Sequence, residues 1–378
     1  MSQDPITYWL GLARVEGLGI RSAHRLIEHF GSAQAAYTAS LTELESCGIP
    51  ARVAQAVFAQ EGLKEAESEL AAAHQAGCQL LAYDGEDYPP LLRQIPDAPL
   101  LLYVRGDVKI LSQCALAMVG SRKPSAYGSQ VAHRLARDLA DRRVVIISGM
   151  ARGIDTCAHR GALEAKGGKT VAVQGRGMDD IYPRENRKLA EKIAENGAVI
   201  SEFPIGTGPL PENFPIRNRI ISGLSLGVLV IEAAEYSGSL ITARLALDQN
   251  REVFALPGNI TSAQSFGPNH LIKQGAKLVD QWMDVVEEFP AEVRRQLMPP
   301  ESASEISQVD QAASLFEQSM SADQKAVFDF LRVDEPAFID SIFGGVAIPP
   351  ARILQTLLEL EMSGLVRQLP GKNFIRKL

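Results

Sequence analysis

The sequence predicts an α/β protein built around a doubly wound, mostly parallel β-sheet. Between about residues 110 and 289, short runs rich in β-branched residues alternate with segments of helical periodicity, which is typical of βαβ units. The runs are apolar at consecutive positions, as strands covered by helices on both faces require. Helices are expected between the strands, for example at Tyr127–Asp141 and Ile154–Ala165, which gives a Rossmann-like arrangement with right-handed crossovers. The six expected strands are Ala115–Val119, Val144–Ser148, Thr170–Gln174, Ala198–Ser201, Gly227–Ile231 and Glu252–Leu256.

Smaller regions flank this predicted domain, which we bound at residues 76–289. Residues 1–75 carry alanine and leucine at helical spacing and are expected to form a small helical domain of helix-hairpin-helix or SAM-like type. Residues 290–320 are polar and contain proline and serine, as expected of a linker. Residues 321–378 fit a winged helix, with helices opening at Asp340–Ile342 and at Pro349–Met362 and with wing strands at Gly364–Val366 and Asn373–Ile375.

The N-terminal region contains two glycine turns that each precede a helix. These turns are Gly17-Leu18-Gly19 and Cys47-Gly48-Ile49-Pro50. Similar turns in helix-hairpin-helix motifs expose backbone amides that can hold a phosphate. The alternative is a small helical bundle whose glycines only close turns, and the acidic character of this region favours that alternative.

Composition excludes several classes of protein. A chain of 378 residues is too long for one ordinary domain. The four cysteines form no CxxC pair and the six histidines show no ligand spacing, so we expect no metal site and no cofactor. The sequence has no run of about 18 apolar residues and no basic leader before an apolar stretch, so we expect a cytoplasmic protein that does not enter a membrane.

Glycine-rich turns follow the first three strands, at the edge where ligands bind in doubly wound sheets. Glycine lets the backbone approach a ligand, and amides at a helix N-terminus favour an anion. Arginine and lysine would add charge-assisted hydrogen bonds at the same places. The residues we assign to a binding site from these turns are Gly120, Ser121, Arg122, Lys123, Gly149, Arg152, Gly153, Gly175 and Arg176.

The turns after the next two strands in the chain carry a different chemistry. One is long and ends in an aromatic residue followed closely by two arginines. Such a combination suits a single nucleic-acid strand, because bases can stack while phosphates pair with arginine; arginines that only hold the loop to helix ends are the alternative. The other turn is rich in hydroxyl groups and opens a helix, as a phosphate cradle does. The residues we assign from these turns are Phe214, Arg217, Asn218, Arg219, Ser237, Gly238, Ser239 and Thr242.

Any one of these turns is a weak signal, but their succession along one edge of the sheet indicates a site for a polyanion or a nucleotide. Two further polar residues allow two readings each. Asp155 is either part of the site or a first-turn acid of its helix. His159, one turn later, either hydrogen-bonds Asp155 or packs in the core.

Six long motifs carry a resemblance to a known family. The motifs are VGSRKPSAYG, SGMARGIDTCAHRGAL, YPREN, SEFPIGTGPLPENFPIRNRIISGLS, LVIEAAEYSGSLITARLAL and REVFALPGN. In their order and spacing they resemble the DNA-processing protein A family (DprA, also called Smf). The resemblance spans about residues 80 to 290. It implies a Rossmann-like core that binds single-stranded DNA, and double-stranded DNA more weakly, in a homodimer that loads RecA onto incoming strands during natural transformation. It implies no catalytic turnover.

The resemblance also assigns roles to residues of this chain. It places Arg122, Phe214, Arg217 and Arg219 in a DNA pocket. Two departures from the family pattern stand out: Gln174-Gly175-Arg176-Gly177 replaces a leucine-glycine-small-glycine pattern, and Pro211 stands where some members have a lysine. The contact of that lysine is therefore not expected here.

A nucleotide-processing enzyme is the alternative function, since nucleoside-monophosphate phosphoribohydrolases are related Rossmann variants with a glycine-rich turn followed by a catalytic glutamate. In this chain the corresponding turn is followed by Ala243, Arg244 and Leu245, and no carboxylate is present there. Other acids exist, but no nucleophile–base pair is evident among them. The candidate acids are Asp155, Glu202 and Glu232. A scaffold that does not contact DNA is a third class, and it leaves the arginine-rich strand ends unexplained.

The charge distribution decides whether an acidic protein can bind nucleic acid. The chain has 38 basic and 45 acidic residues, a formal charge of −7, and on its own this argues against a phosphate-rich partner. The charge is unevenly spread, however. Residues 1–110 hold 8 basic and 14 acidic side chains, residues 111–251 hold 19 and 14, and residues 252–378 hold 11 and 17. The sequence therefore predicts a positive central domain between negative flanking regions, which would confine DNA to the centre.

Overall fold

A nine-stranded sheet organises the central part of the protein. The computed structural model describes residues 4–297, 321–333, 335–363, 365–369 and 371–376. The strands of this sheet are β1 Gln79–Ala82, β2 Leu101–Gly106, β3 Ala115–Val119, β4 Val145–Ser148, β5 Thr170–Val173, β6 Ala198–Ser201, β7 Gly227–Val230, β8 Glu252–Ala255 and β9 Lys277–Leu278.

The strand order β1-β2-β6-β5-β4-β3-β7-β8-β9 confirms the predicted doubly wound, mostly parallel sheet. Strands β3 to β9 pair in parallel, whereas β2 is antiparallel to both β1 and β6. After β3 the chain builds one half of the sheet through β4, β5 and β6, and then returns to place β7 on the other side of β3. The β3–β7 junction is therefore the topological switch point, where ligands bind in such sheets.

Helices cover both faces of the sheet because the strands alternate their side chains between two apolar layers. Leu116 and Met118 of β3 pack in one layer, while Ala117 and Val119 pack in the other. The helices of the N-terminal and central regions are α1 Pro5–Arg14, α2 Ile20–Phe30, α3 Ala33–Thr38, α4 Leu41–Ser46, α5 Ala51–Phe58, α6 Leu63–Gln75, α7 Pro90–Arg93, α8 Ala126–Ala140, α9 Ile154–Glu164, α10 Arg187–Asn196, α11 Asn213–Gly223, α12 Gly238–Asp248, α13 Phe266–Lys273, α14 Trp282–Val286 and α15 Ala291–Leu297. Helix α8 packs on the first layer and α11 on the second.

The sequence missed three strands and one helix at the margins of this domain. Strand β1 is partly exposed and β9 has two residues, so neither carries a strong apolar run; β2 does, but it precedes the region in which we recognised the alternation. Helix α15 lies inside the predicted linker 290–320. Its Val293 and Leu297 pack against the core beside Phe289, which holds the chain to the domain beyond residue 290. Residues 298–320 of the predicted linker lie outside the described residues.

The N-terminal helices share a core with the sheet. Trp9, Leu26 and Leu44 belong to the same buried cluster as Tyr103 of β2. Glu69 of α6 accepts hydrogen bonds from the Tyr103 hydroxyl at 2.7 Å and from the Ile205 amide at 2.8 Å. The division between residues 75 and 76 stays a prediction, as does the phosphate-holding role of the two N-terminal glycine turns.

The C-terminal region is a winged helix, as predicted. Its three-stranded sheet has the order β10-β12-β11. The first wing strand begins two residues later than expected; Gly364 and Pro370 lie outside the described residues. The elements are α16 Ala322–Phe330, β10 Ala337–Phe338, α17 Ile339–Gly345, α18 Pro350–Met362, β11 Val366–Leu369 and β12 Asn373–Arg376.

Within the described ranges, no single helix is long and apolar enough to cross a membrane. Helices α17 and α18 pass the length and composition test only as a pair, and they meet at an angle of 118°.

His159 packs in the core of the sheet and makes no recorded contact with Asp155. Its Nδ1 lies 2.7 Å from Thr170 Oγ1, and the Thr170 hydroxyl donates to the Ile146 carbonyl at 2.5 Å. The hydrogen-bond network therefore puts the His159 proton on Nδ1. Burial lowers the pKa of His159 to about 3, so the ring is neutral at neutral pH.

Acidification should destabilise the fold through His159. The pKa is about 6.5 in the unfolded chain and lower in the folded one, so stabilisation that is present above 6.5 is lost as the pH falls toward 3. The loss is about 1.4 kcal/mol per pH unit below 6.5, and therefore about 1.4 kcal/mol at roughly pH 5.5. Urea unfolding at roughly pH 7.5 and 5.5 should show this extra loss in the wild type and not in His159→Gln. Equal losses in both proteins would contradict the buried, neutral histidine.

Candidate nucleic-acid interface

A cavity of about 930 Å³ opens at the switch point between β3 and β7. Its wall combines the turn after β3, the loop after β7, the N-terminal half of α11 and the start of α12. Of the residues assigned from the sequence, the cavity brings together Gly120, Arg122, Phe214, Arg217, Asn218, Ser237, Gly238, Ser239 and Thr242.

Arg122 and Phe214 form a cation–aromatic pair in this wall. The Arg122 guanidinium lies 5.7 Å from the centre of the Phe214 ring, and Arg122 is exposed. The Phe214 ring rests on Gly175, where a Cβ atom would come within 2.9 Å of it, and contacts the Tyr182 ring at a centroid distance of 5.6 Å. In the described part of the chain, Arg122 has no carboxylate partner. The pair therefore presents a free positive charge beside an aromatic surface, which suits a phosphate and a base together.

Arg217 forms the inner wall of the cavity and holds the ends of two strands. It is buried and donates to the carbonyl of Gly149, at 2.8 Å, and to the carbonyl of Val173. Gly149 is required here, since a Cβ atom would lie 2.5 Å from the Arg217 guanidinium. Burial lowers the pKa of Arg217 to about 10, so the group stays charged at neutral pH. Arg217 therefore fixes the backbone of the cavity, with the Asp155 carboxyl beside it in the same wall.

Arg219 is placed differently from what the resemblance implied. It lies outside the cavity, buried against the Glu202 carboxylate and 3.6 Å from a carboxylate oxygen of Asp97. Burial raises the pKa of Glu202, and the Arg219 guanidinium beside it acts in the opposite direction. Arg219 is therefore held by carboxylates, and its assignment to a DNA pocket stays a prediction.

Two more assigned arginines are neutralised by nearby acids. Arg176 pairs with Asp179 and Asp180 at 3.2 and 3.1 Å. Arg152 makes a two-point contact with Glu185, at 2.8 and 2.9 Å. Neither lines the cavity.

The remaining assigned residues after β3 and β4 shape the turn beside the cavity. The Ser121 carbonyl accepts from the Ile154 amide at 3.1 Å, next to Gly153 at the start of α9. The Ser121 hydroxyl accepts from the Lys123 amide at 3.1 Å. Lys123 is exposed next to Arg122, so it adds positive charge to the rim without lining the cavity.

The hydroxyl-rich turn closes the N-terminus of α12. Ser237 caps the helix, with its oxygen 3.4 Å from the Ser239 amide and 2.8 Å from the Ser239 hydroxyl. Gly238 is exposed, whereas Ser239 and Thr242 are buried in the wall. The anion-favouring end of the helix therefore faces the cavity.

The sequence reasoning missed three aromatic residues of the cavity: Tyr182, Tyr236 and Phe266. All three are at least 40% exposed. Tyr182 and Tyr236 lie inside the sequence motifs given above, in which the glycine, hydroxyl and charged residues indicate the site. The usable signal was an aromatic residue within a polar turn at a strand end.

The three candidate acids of the enzyme alternative all have structural partners. Glu232 accepts from the Ser125 amide at 2.8 Å and from the Ser125 hydroxyl at 2.5 Å. Asp155 accepts from the amides of Gly149 and Ala151, each at 3.1 Å. Glu202 is held by Arg219. The alternative is therefore not favoured.

Fold and cavity together define a Rossmann-like α/β protein with an open cleft at its switch point, whose wall carries the exposed Arg122 beside Phe214, joined to a winged helix. The chain belongs to the DNA recombination-mediator protein A family, whose sequence profile matches residues 79–290. The profile of the DprA winged helix domain matches residues 310–372.

Individual relatives agree with this assignment. Protein Smf of Escherichia coli is 41% identical over 87% of this chain and 85% of its own length. The solved structure of DNA processing protein A from Streptococcus pneumoniae covers 77% of this chain and 99% of that chain, at 36% identity and a TM-score of 0.68. The structure of DNA processing protein A from Helicobacter pylori, which concerns its single-stranded DNA binding mode, covers 56% of this chain and 96% of that chain, at 33% identity and a TM-score of 0.51.

The free energy of unfolding should depend strongly on the buried Arg219 and only weakly on the exposed Arg122. Arg219→Ala leaves Glu202 buried without its partner and should lower the free energy of unfolding by about 3–5 kcal/mol. Arg122→Ala removes an exposed side chain that has no carboxylate partner among the described residues, and should change the free energy of unfolding by less than about 0.5 kcal/mol. Adding Glu202→Gln to Arg219→Ala should recover part of the loss in urea unfolding. An Arg219→Ala variant as stable as the wild type would contradict the structural role.

Proposed function

We propose that this protein is a single-stranded DNA-binding recombination mediator that protects incoming DNA and loads RecA onto it during DNA uptake. The single observation that carries the proposal is the exposed Arg122–Phe214 pair in an open cavity at the switch point. Family membership and the single-stranded DNA binding of the Helicobacter pylori relative support it.

The geometry favours a single strand over a duplex. Phe214 is partly buried within the cavity wall, so a base must leave its stack to reach the ring. A single strand offers unpaired bases at little cost, whereas a duplex would have to be opened first. Double-stranded DNA is therefore bound more weakly, through its phosphates alone.

Binding positions the strand and needs no bond-breaking chemistry. Arg122 and Lys123 attract phosphates from the rim, and the N-terminus of α12 adds a partial positive charge. The negative regions on either side of the central domain discourage non-specific contacts elsewhere. A homodimer in the cytoplasm would have two such cavities. Both could hold the same DNA strand while RecA is loaded onto it.

We assign the winged helix to protein contacts or spacing. Its second helix, α18, exposes Leu354, Leu358 and Met362 along one side. Its arginine, Arg352, is paired with Asp323 at 2.9 Å. A helix with an exposed apolar side, one paired arginine and two glutamates is poorly suited to the phosphate-lined groove of DNA.

Arg122→Ala should weaken binding of an oligothymidylate and flatten its salt dependence. The slope of log K against log salt should fall in magnitude by about 0.7, because one phosphate contact on a single strand is lost. Fluorescence anisotropy across a salt series measures both quantities, with duplex DNA as a second ligand. Arg160→Ala is the matched control, since it removes one exposed arginine of the same domain that does not line the cavity.

A companion variant, Phe214→Leu, keeps an apolar side chain over Gly175 while removing the ring. It should lose about 1–3 kcal/mol of binding free energy with an unchanged salt slope. The proposed function would be overturned if Arg122→Ala and Arg160→Ala bound the oligothymidylate with the same affinity and the same salt slope.

A further inference from the structure

We propose that Tyr236, backed by Phe266, is a second base-stacking platform, so that one DNA strand is held at two aromatic points of the same cavity. The proposal rests on the proposed function and extends it to a second wall of the cavity. Both rings line the cavity. They come from the loop after β7 and the start of α13, whereas Arg122 and Phe214 come from the turn after β3 and from α11.

Tyr236 exposes an aromatic ring that the fold does not use. Its side chain is 94% exposed, so the core gains nothing from it. Nearly all other tyrosines of the described chain are much less exposed; Tyr88 and Tyr103, for example, are buried. An aromatic ring left in water at the mouth of a ligand cavity is available to stack on a ligand.

The backbone beneath the ring is nevertheless well fixed. The Ser237 amide donates to the Ala234 carbonyl at 3.0 Å. The Ala233 amide and carbonyl bond to Gln264 and Gly267, each at 2.8 Å. Tyrosine also has few rotatable bonds to freeze when it binds. The ring is therefore presented by an ordered turn, which lowers the entropy cost of stacking.

Phe266 extends the apolar surface on the same side. The Gly267 amide donates to the Ala233 carbonyl, which ties the start of α13 to the loop that carries Tyr236. The Phe266 ring is 45% exposed and stacks on His270, with ring centres 5.9 Å apart and planes 9° apart. The two rings thus belong to one connected wall of the cavity.

The charged residues of the cavity determine which wall the phosphates face and which wall the bases face. Glu235, exposed beside Tyr236, repels phosphates from this wall, while Arg122 and Lys123 attract them to the other. A neutral base is not repelled. The phosphates should therefore run along the Arg122 wall, with bases turned toward Tyr236 and Phe266.

Tyr236→Ala should weaken binding of long oligothymidylates by roughly 5- to 160-fold, which is the range for losing one stacked base. The salt slope should stay that of the wild type, because no phosphate contact is lost. Tyr236→Phe keeps the ring and should bind within about twofold of the wild type. Ile260→Ala is the matched control, because Ile260 is 91% exposed but does not line the cavity.

A series of oligothymidylates of increasing length sharpens the test. The defect of Tyr236→Ala should be absent for oligonucleotides too short to reach both aromatic points and should appear once they are long enough. Wild-type affinity of Tyr236→Ala at every length would overturn the second platform, as would a defect of equal size in Tyr236→Phe.

Failure of this inference is distinguishable from failure of the proposed function. If Arg122→Ala loses binding and Tyr236→Ala does not, only the second platform is refuted. If neither variant changes binding, the cavity is not the DNA site and both proposals fall. Because Arg122, Tyr236 and Ile260 are exposed, the variants at these positions should unfold at the wild-type temperature, which a thermal melt checks.

Discussion

The reversal of strand order at β3 is the constraint on which the rest of the site depends. Strands β4, β5 and β6 extend the sheet to one side of β3, and β7 follows on the other. The connections that leave β3 and β7 therefore diverge, and a gap opens between their carboxyl ends. Arg217 stabilises that gap from inside by bonding the carbonyls of Gly149 and Val173, and the cavity is the space that remains.

Pairing decides which arginines of this positive domain can meet a ligand. Arg152, Arg176 and Arg219 all have carboxylate partners within 4 Å. Their positive charges are therefore neutralised by ion pairs within the protein. Arg217 is bound to backbone carbonyls. Arg122 stands apart from these because it is exposed, lines the cavity and lies over an aromatic ring. In the proposed function, the net charge of the domain would guide DNA to the centre, while a small number of side chains on the cavity rim would determine where it is held.

The fold could be predicted closely where side chains obey a local pattern. The six strands of the parallel region were placed to within one residue, because doubly covered strands are apolar at every position. Turn chemistry likewise identified both sides of the cavity. The ion pairs of Arg219 and Arg176 could not be predicted from the local sequence, because a sequence shows a charged residue but not its partner. Asp97, for example, contacts Arg219 but precedes it by more than 100 positions. Nor does any periodicity tell an exposed ring such as Tyr236 from a buried one such as Tyr88.

Photocross-linking tests the central claim, that single-stranded DNA occupies the cavity between β3 and β7, most directly. An oligothymidylate carrying photoreactive 5-iododeoxyuridine is irradiated with the full-length protein, and the modified residues are mapped by mass spectrometry. The account predicts adducts on the aromatic residues of the cavity wall, Phe214 and Tyr236 foremost. Adducts confined to the N-terminal helices or to the winged helix would contradict it.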